Sequence, residues 1–456
     1  MYFVQELKDT FQSGKTQSYD WRKQQLVKLK RMLVENENAI YQALAEDLGK
    51  PQFEAYVTEY QFVLKDIDHS LKKLKSWMKV KKVGSPLLAQ PAQSRLRPEP
   101  YGVCLIMGAW NYPIQLVLSP MVAAIAAGNC VVLKPSELAE NTSKLLVKLI
   151  PKYLDIKAFH VYEGGVSETT ELLKQRFDHI TYTGSEVVAK IVMAAASKHL
   201  TPVCLELGGK SPCVVDDSAN LSVTADRIIW GKFLNAGQTC IAPDYILVTP
   251  KQREPLLKAL KASLIKQFGR EPALSKDYAR IINQRHFDRI ISYLDGLQEN
   301  IVVGGQSNRE QKFIAPTIIF EPELDSNIMT EEIFGPLLPI VEIESVSHAI
   351  QFINQREKPL ALYLFSKDDI AIREVTEQTS SGNMCINDTM MFMINHNLPF
   401  GGVGASGMGN YHGKWGFDTY SHLKPIMHKR FWGDLPVRYA PYVKWKMVAL
   451  KWLQRL

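Results

Sequence analysis

The sequence predicts an α/β protein with a doubly wound, parallel sheet and a second α/β unit, on three observations. The first is length: 456 residues are about three times a typical domain of ~150, so two or more cores are expected. The second is texture. From Tyr101 onward, short apolar runs rich in β-branched residues alternate with helical stretches, and such runs imply parallel strands buried on both faces. The third is that the alternation restarts at PCVVDD (212–217). Nothing repeats at a fixed short period, which argues against a solenoid.

Taken in order, residues 1 to about 80 read as helices, with apolar residues at helical spacing across Phe53–Met78. Gly84, Ser85 and Pro86 stop that helix. The proline-rich segment 87–100 reads as an extended arm or edge strand, with no evident partner elsewhere in the chain. VCLIMG (103–108), VVLK (131–134), FHVY (159–162), HITYTG (179–184) and VCLELGG (203–209) read as strands of the first series. After PCVVDD, a helix runs through Phe233, and YILVTP (245–250), IVEI (340–343) and LALYLFS (360–366) supply further strands.

Composition narrows the class. Hydrophobic residues at 46% and charged residues at 22% suit a folded globular chain. No apolar run reaches the ~18 residues that a membrane helix needs, and MYFVQELKDTFQSGKTQ lacks the apolar core of a secretory leader. The six cysteines form no CxxC pair, so neither a zinc ribbon nor a redox dithiol is expected, and no metal site. A reducing, cytoplasmic compartment fits them. The net charge is +7, and residues 424–456 carry eight basic side chains against one acid, 8 − 1 = +7, so the rest of the chain is neutral. A nucleic-acid surface would spread its excess over a face or groove, so none is expected.

Four segments carry chemistry. In FLNAGQTC, Cys240 follows Gly-Gln-Thr at a helix-to-loop junction, as a nucleophile or as one more buried thiol. In LELGGKSP, Glu206 ends an apolar strand, where an acid is costly without work or a partner. In GAWNYP, Asn111 offers an amide to an oxyanion, or caps a helix. In LKPSE, Lys134 and Glu137 are spaced to clasp a ribose, or Ser136 and Glu137 start a helix. Gly402-x-Gly404-x-x-Gly407 matches a dinucleotide fingerprint but has no strand before it. TYTGSEVVAK is the better phosphate loop: strand, Gly184-Ser185, then a helix N-terminus.

The order WNYP, KPSE, TGS, LELGGK, GQTC, EEIFGP and PFGG resembles the aldehyde dehydrogenase superfamily from about Leu26 to His422. The ending PFGGVGASGMGNYHGKWGFDTYSHLK is similar to its class 3 branch, which includes fatty-aldehyde dehydrogenases. The resemblance implies a Rossmann-type cofactor domain (1–82 and 101–207), a second α/β catalytic domain (208–400), oligomerisation segments (83–100 and 401–435) and a C-terminal amphipathic helix (436–456). It implies Cys240 as nucleophile, Glu206 as general base and Asn111 as oxyanion donor. Trp110, Lys134, Glu137, Gly184, Ser185, Val188, Glu332 and Phe334 would bind NAD; NADP stays open, because Lys134 lies beside Glu137. Gly209 would give a catalytic side chain clearance and Asn387 would support the site, with Phe62 and Tyr112 facing the aldehyde. One departure is GSEVVA, where the family often has a glycine near Val188.

The implied function is NAD(P)-dependent oxidation of medium or long aliphatic, or aromatic, aldehydes. A coenzyme A-acylating relative generally lacks the acid at Glu206. A thioesterase-like hydrolase would leave the cofactor motifs idle, and a non-catalytic protein would have no use for Cys240, Glu206 and Asn111 together. A homodimer is expected from the class 3 resemblance. In the tail, Trp445, Val448, Ala449, Trp452, Leu453 and Leu456 share one helical side, with Lys444, Lys451 and Arg455 beside it. That pattern suits a peripheral membrane contact, a substrate gate or packing on a partner subunit.

Overall fold

The N-terminal region is helical in the computed structural model, which describes residues 2–453. Its main helices are Tyr2–Gln12, Tyr19–Glu35, Glu37–Leu48 and Gln61–Trp77. Ser18 opens the second by accepting from the Trp21 N–H, satisfying one of the donors that a helix start leaves open. Gly49 closes the third in the left-handed conformation, φ 57°. The helix expected across Phe53–Met78 is interrupted: Tyr56–Tyr60 forms a π-helical turn between Gln52–Ala55 and Gln61–Trp77. Such turns insert a residue and favour functional sites. Here the turn carries Glu59, which is fully buried.

The first series of strands forms one sheet. From edge to edge it runs Gly407–Met408, Val203–Glu206, His179–Thr183, Val103–Met107, Cys130–Lys134 and Phe159–Val161. All neighbours are parallel except the first pair. Strand order reverses between Val103–Met107 and His179–Thr183, the switch point at which open α/β sheets leave a crevice past the strand ends. The second series makes a seven-stranded sheet in the order Ile301–Val303, Thr317–Phe320, Leu337–Glu342, Tyr245–Val248, Pro212–Val215, Ala361–Phe365 and Asn383–Ile386. Val103, Leu105, Val132, Val214, Leu247 and Leu362 are fully buried. At ~1.5–3 kcal/mol each, burial on both faces explains the continuous apolar runs. One hydrophobic core spans Val4 to Leu207 and recruits Phe417 and Tyr420; a second spans Cys213 to Tyr411.

One expectation is corrected. The arm 87–100 does have a partner within the chain. Ala92–Pro100 pairs antiparallel with Ser421–Lys429 along its whole length, and Lys81–Val83 completes a three-stranded sheet. Arg97 opposes Lys424, while Lys424 reaches Glu99 at 3.3 Å. Pro98 and Pro100 lie past the stretch that Lys81–Val83 covers, which pairs only with Ser94 to Leu96.

The discounted glycine fingerprint is not a strand–loop–helix unit. Gly404–Ser406 is a short 3-10 turn, and Gly407–Met408 is the antiparallel edge strand beside Leu205–Glu206. In the tail, a 3-10 turn at Pro436–Arg438 precedes the helix Lys444–Leu453. Trp445, Val448 and Trp452 are exposed on it; Arg455 and Leu456 lie outside the described residues. Among the described residues no helix is long and apolar enough to cross a membrane.

Candidate active site

Two cavities meet at Cys240. The polar one, about 730 Å³, collects the ends of separate strands: Trp110 and Asn111 past Met107, Thr183 to Ser185 past the next strand, and Glu206 at the end of the third. The second α/β unit adds His286, Arg289, Glu332 and Phe334. The apolar cavity, about 830 Å³, is lined by Phe62, Tyr112, Leu116, Trp230, the methionines 390, 391 and 393, Phe400 and Tyr411 among others. Cys240 alone lines both. No group of three or more His, Cys, Asp or Glu able to hold a metal occurs among the described residues.

The loop that presents Cys240 is strained and tethered. The helix Leu221–Phe233 ends, and Asn235 (φ 54°) and Ala236 (φ 52°) then take the left-handed conformation, which costs non-glycine residues ~1–3 kcal/mol each. Hydrogen bonds hold it. The Asn235 N–H donates to buried Glu54 at 3.0 Å, and its side-chain amide donates to the Asn111 carbonyl at 2.9 Å. Gln238 donates to the Arg280 carbonyl and accepts from the Ile282 N–H, both at 3.0 Å. Thr239 and Tyr112 share a hydroxyl contact of 2.6 Å.

Asn111 is fixed from the opposite side. Its amide donates to the Gln238 carbonyl at 3.0 Å, and its second N–H remains for a ligand. Lys50 donates to the Asn111 carbonyl at 3.0 Å and pairs with Glu59 at 2.6 Å. The other Glu59 oxygen accepts from the Ile114 and Gln115 N–H groups, both at 2.9 Å. Both charges are wholly buried, so removing one partner costs ~3–5 kcal/mol. The π turn thus anchors the WNYP loop.

Burial governs the ionisable groups. Glu206 is held well above the ordinary carboxylate range by burial. One of its oxygens accepts from the Cys204 thiol at 3.7 Å, and the other has no protein partner. Burial, followed by the Asp244 carboxylate, pushes Glu332 up to about 8. Burial, then Glu332 and Glu206, raise the Cys240 thiol.

The remaining sequence candidates divide. Gly184, Ser185, Trp110, Glu332 and Phe334 line the polar cavity; Phe62 and Tyr112 line the apolar one. Lys134 and Glu137 lie at the end of the next strand outward, ion-paired at 2.5 Å, and do not line the cavity. Val188 packs at the margin of the first core and does not line the polar cavity. Gly209 (φ 135°) lies against Pro359, where a Cβ would come within 3.3 Å of its Cα. Asn387 (φ 59°) clamps Ser366, accepting from its N–H at 2.8 Å and donating to its carbonyl at 2.7 Å.

The polar cavity fits a dinucleotide. Glu206 Oε2 and His286 Nδ1 are buried without protein partners. A Cβ at Gly208 would come within 2.2 Å of the Glu332 carboxylate, so only glycine leaves this space clear. The helix Glu186–Ser197 starts just past Gly184-Ser185 with no side-chain cap, as an anion site requires.

Sequence reasoning missed Lys50, Glu54, Glu59, Asn235, Gln238, His286, Arg289 and Tyr411. Two acids in an otherwise apolar helical run, Glu54 and Glu59, were the available signal.

Residues 2–426 match the aldehyde dehydrogenase family. The chain is 50% identical over 440 residues to aldehyde dehydrogenase family 3 member A2 of Rattus norvegicus, covering 96% of this chain and 90% of that one. It is 48% identical to the dimeric NADP-preferring aldehyde dehydrogenase of Canis lupus familiaris, covering 96% and 97%. The substrate-bound structure of Staphylococcus aureus AldH superposes with a TM-score of 0.96 at 46% identity, over 99% of both chains. This chain belongs to the aldehyde dehydrogenase family, in its class 3 branch, and is an NAD(P)-dependent aldehyde dehydrogenase.

Proposed function

We propose that the chain oxidises medium- or long-chain aliphatic, or aromatic, aldehydes to carboxylic acids through a thiohemiacetal and then a thioester on Cys240. The observation that carries this is the place of Cys240 at the junction of an apolar and a polar cavity. The aldehyde's chain lies among Phe62, Tyr112 and the methionines. Cys240 gives up its thiol proton to solvent, its Sγ bonds the carbonyl carbon, and the Asn111 amide with the Cys240 N–H holds the oxyanion; one such donor contributes ~10²–10³ in rate. The residues that would hold the nicotinamide dinucleotide are Trp110, Gly184, Ser185, Glu332 and Phe334, with Lys134 and Glu137 toward the adenosine ribose; bound there, it would supply a hydride acceptor. Glu206 then takes a proton from the water that hydrolyses the thioester. Burial, then the Glu332 and Glu206 carboxyl groups, hold the Cys240 thiol above its ordinary value. A cationic group held in the polar cavity would lower it.

The test is a steady-state panel of straight-chain aldehydes with NAD and with NADP. An apolar cavity of this kind is expected to raise kcat/KM by up to about fourfold per methylene, from ~0.8 kcal/mol each, until it is filled. A profile flat from two carbons upward would sink the chain-length reading.

The same proposal includes a homodimer with a surface-seeking tail. Ser421–Lys429 is an edge strand of the three-stranded sheet, with Leu423 50% and Met427 55% exposed. An open edge of that length invites pairing, and the Canis lupus familiaris relative is named as dimeric. On the tail, Trp445, Val448, Trp452, Lys444 and Lys451 are exposed together, a basic aromatic face suited to an anionic membrane surface. Truncation after Asp434 is expected to abolish co-sedimentation with anionic vesicles while light scattering still gives twice the mass of the shortened chain, as it gives twice 51.6 kDa for the full one. Equal binding by both chains would discard the membrane contact. A change in aldehyde chain-length preference alone would make the tail a gate, and loss of the dimer would make it a subunit contact.

A further inference from the structure

Two oxygens next to the Cys240 site are buried and unpartnered: Glu206 Oε2 and Tyr411 Oη. Glu206 lines the polar cavity, Tyr411 lines the apolar one, and Cys240 lines both. The backbone brings them together. Gly407–Met408 pairs with Leu205–Glu206, and the Leu207 N–H donates to the Ser406 carbonyl at 3.1 Å. The chain then passes Cys204 at Gly409 and reaches Tyr411, which is locked to Phe400 by backbone hydrogen bonds of 3.0 and 2.8 Å. The two rings also pack edge to face at 5.8 Å.

A phenylalanine would serve this packing and the apolar wall equally well, so the hydroxyl needs its own account. An unmet buried polar atom costs ~1–3 kcal/mol, and such atoms in native proteins are normally met by water or ligand. Glu206 Oε1 is already occupied by the Cys204 thiol, which leaves Oε2 for the reaction. Burial, with Glu206 and Cys240 nearby, keeps the Tyr411 phenol neutral, so no second negative charge competes with Glu206.

We propose that Tyr411 Oη and Glu206 Oε2 together hold the water that hydrolyses the thioester on Cys240, which makes Tyr411 a further catalytic residue. This rests on the roles proposed above for Cys240 and Glu206. The water gives one hydrogen bond to Glu206 and the other to Tyr411, leaving a lone pair directed at the thioester carbon. Glu206 takes the proton, the water oxygen bonds that carbon, the C–S bond breaks, and its electron pair leaves on Cys240 Sγ. The carboxylic acid departs, and no oxidant is consumed in this step.

The test is Tyr411→Phe, which removes the hydroxyl and keeps the ring. First-turnover cofactor reduction is expected to stay close to that of the parent. Decay of the acyl-enzyme, followed by rapid quench and intact mass, is expected to slow about 10-fold, the loss of one oriented hydrogen bond. Hydroxylamine attacks a thioester without a general base, and its addition is expected to restore turnover. Unchanged acyl-enzyme decay overturns the proposal. So does a variant slowed equally in both steps and not rescued by hydroxylamine. If Glu206→Gln slows decay while Tyr411→Phe does not, only the role of Tyr411 fails. If the parent never carries an acyl group on Cys240, the thioester reading itself fails.

Discussion

Cys240→Ala is expected to abolish aldehyde oxidation and to leave cofactor affinity nearly unchanged. Loss of a nucleophile in a covalent mechanism lowers turnover on the order of 10⁶, since the remaining oxyanion donors have no adduct to stabilise. No other thiol can substitute. Cys104, Cys130, Cys204 and Cys213 are buried within strands, and Cys385 lies in Asn383–Ile386 at the far edge of the second sheet. Neither cavity is lined by any of them. The polar cavity is built from backbone and side chains of five other segments, so removing one sulfur leaves its walls intact. The measurements are absorbance of the reduced nicotinamide for turnover and calorimetric titration for affinity. Oxidation at a substantial fraction of the parent rate would sink the nucleophile assignment; lost turnover together with lost affinity would show that the substitution damaged the cavity.

The fold and the site differ in how far they were legible. Strands such as Val103–Met107 and Pro212–Val215 are readable because burial on both faces demands unbroken apolar runs. Glu206 stands out because an acid ending such a run must be compensated or used; Cys240 and Asn111 stand out through the order of motifs in which GQTC and WNYP sit, since on the residues alone a buried thiol and a helix cap read as well. Partner choice is another matter. Ala92–Pro100 and Ser421–Lys429 pair across more than 300 residues of chain, and neither segment's pattern specifies the other. The π turn at Tyr56–Tyr60 shifts the register of an otherwise helical stretch, so a fixed 3.6-residue period puts Glu59 on the wrong face. Asn235 and Ala236 take left-handed conformations without glycine. Tertiary bonds hold that conformation, and those that Asn235 gives to Glu54 and to the Asn111 carbonyl join residues about 120 to 180 positions apart. Tyr411 follows the same rule. In sequence it is one aromatic in a glycine-rich ending; its hydroxyl has meaning only once the edge strand sets it beside Glu206.

Glu206→Gln is expected to separate the two halves of the reaction. Glutamine matches the carboxylate in shape, and its carbonyl still accepts from the Cys204 thiol that now bonds Oε1. It cannot take a proton. Attack by Cys240 and transfer to the nicotinamide do not require that proton, so the first turnover is expected to proceed. Hydrolysis of the thioester does require it, and losing a positioned general base costs ~10²–10⁴ in that step. Rapid mixing should then give a burst of reduced cofactor equal to the concentration of sites, followed by slow turnover. The pH dependence carries a second signature. Burial holds Glu206 well above the ordinary carboxylate range, and a general base works only when deprotonated. Thioester hydrolysis in the parent is therefore expected to rise with pH along a limb displaced above the usual carboxylate titration, and in the variant that limb is expected to vanish. Loss of the burst along with turnover would move Glu206 to the activation of Cys240 instead. A burst with an unchanged pH limb would assign the proton to another group, and in that case the unpartnered oxygen of Glu206 would have to be explained by binding alone.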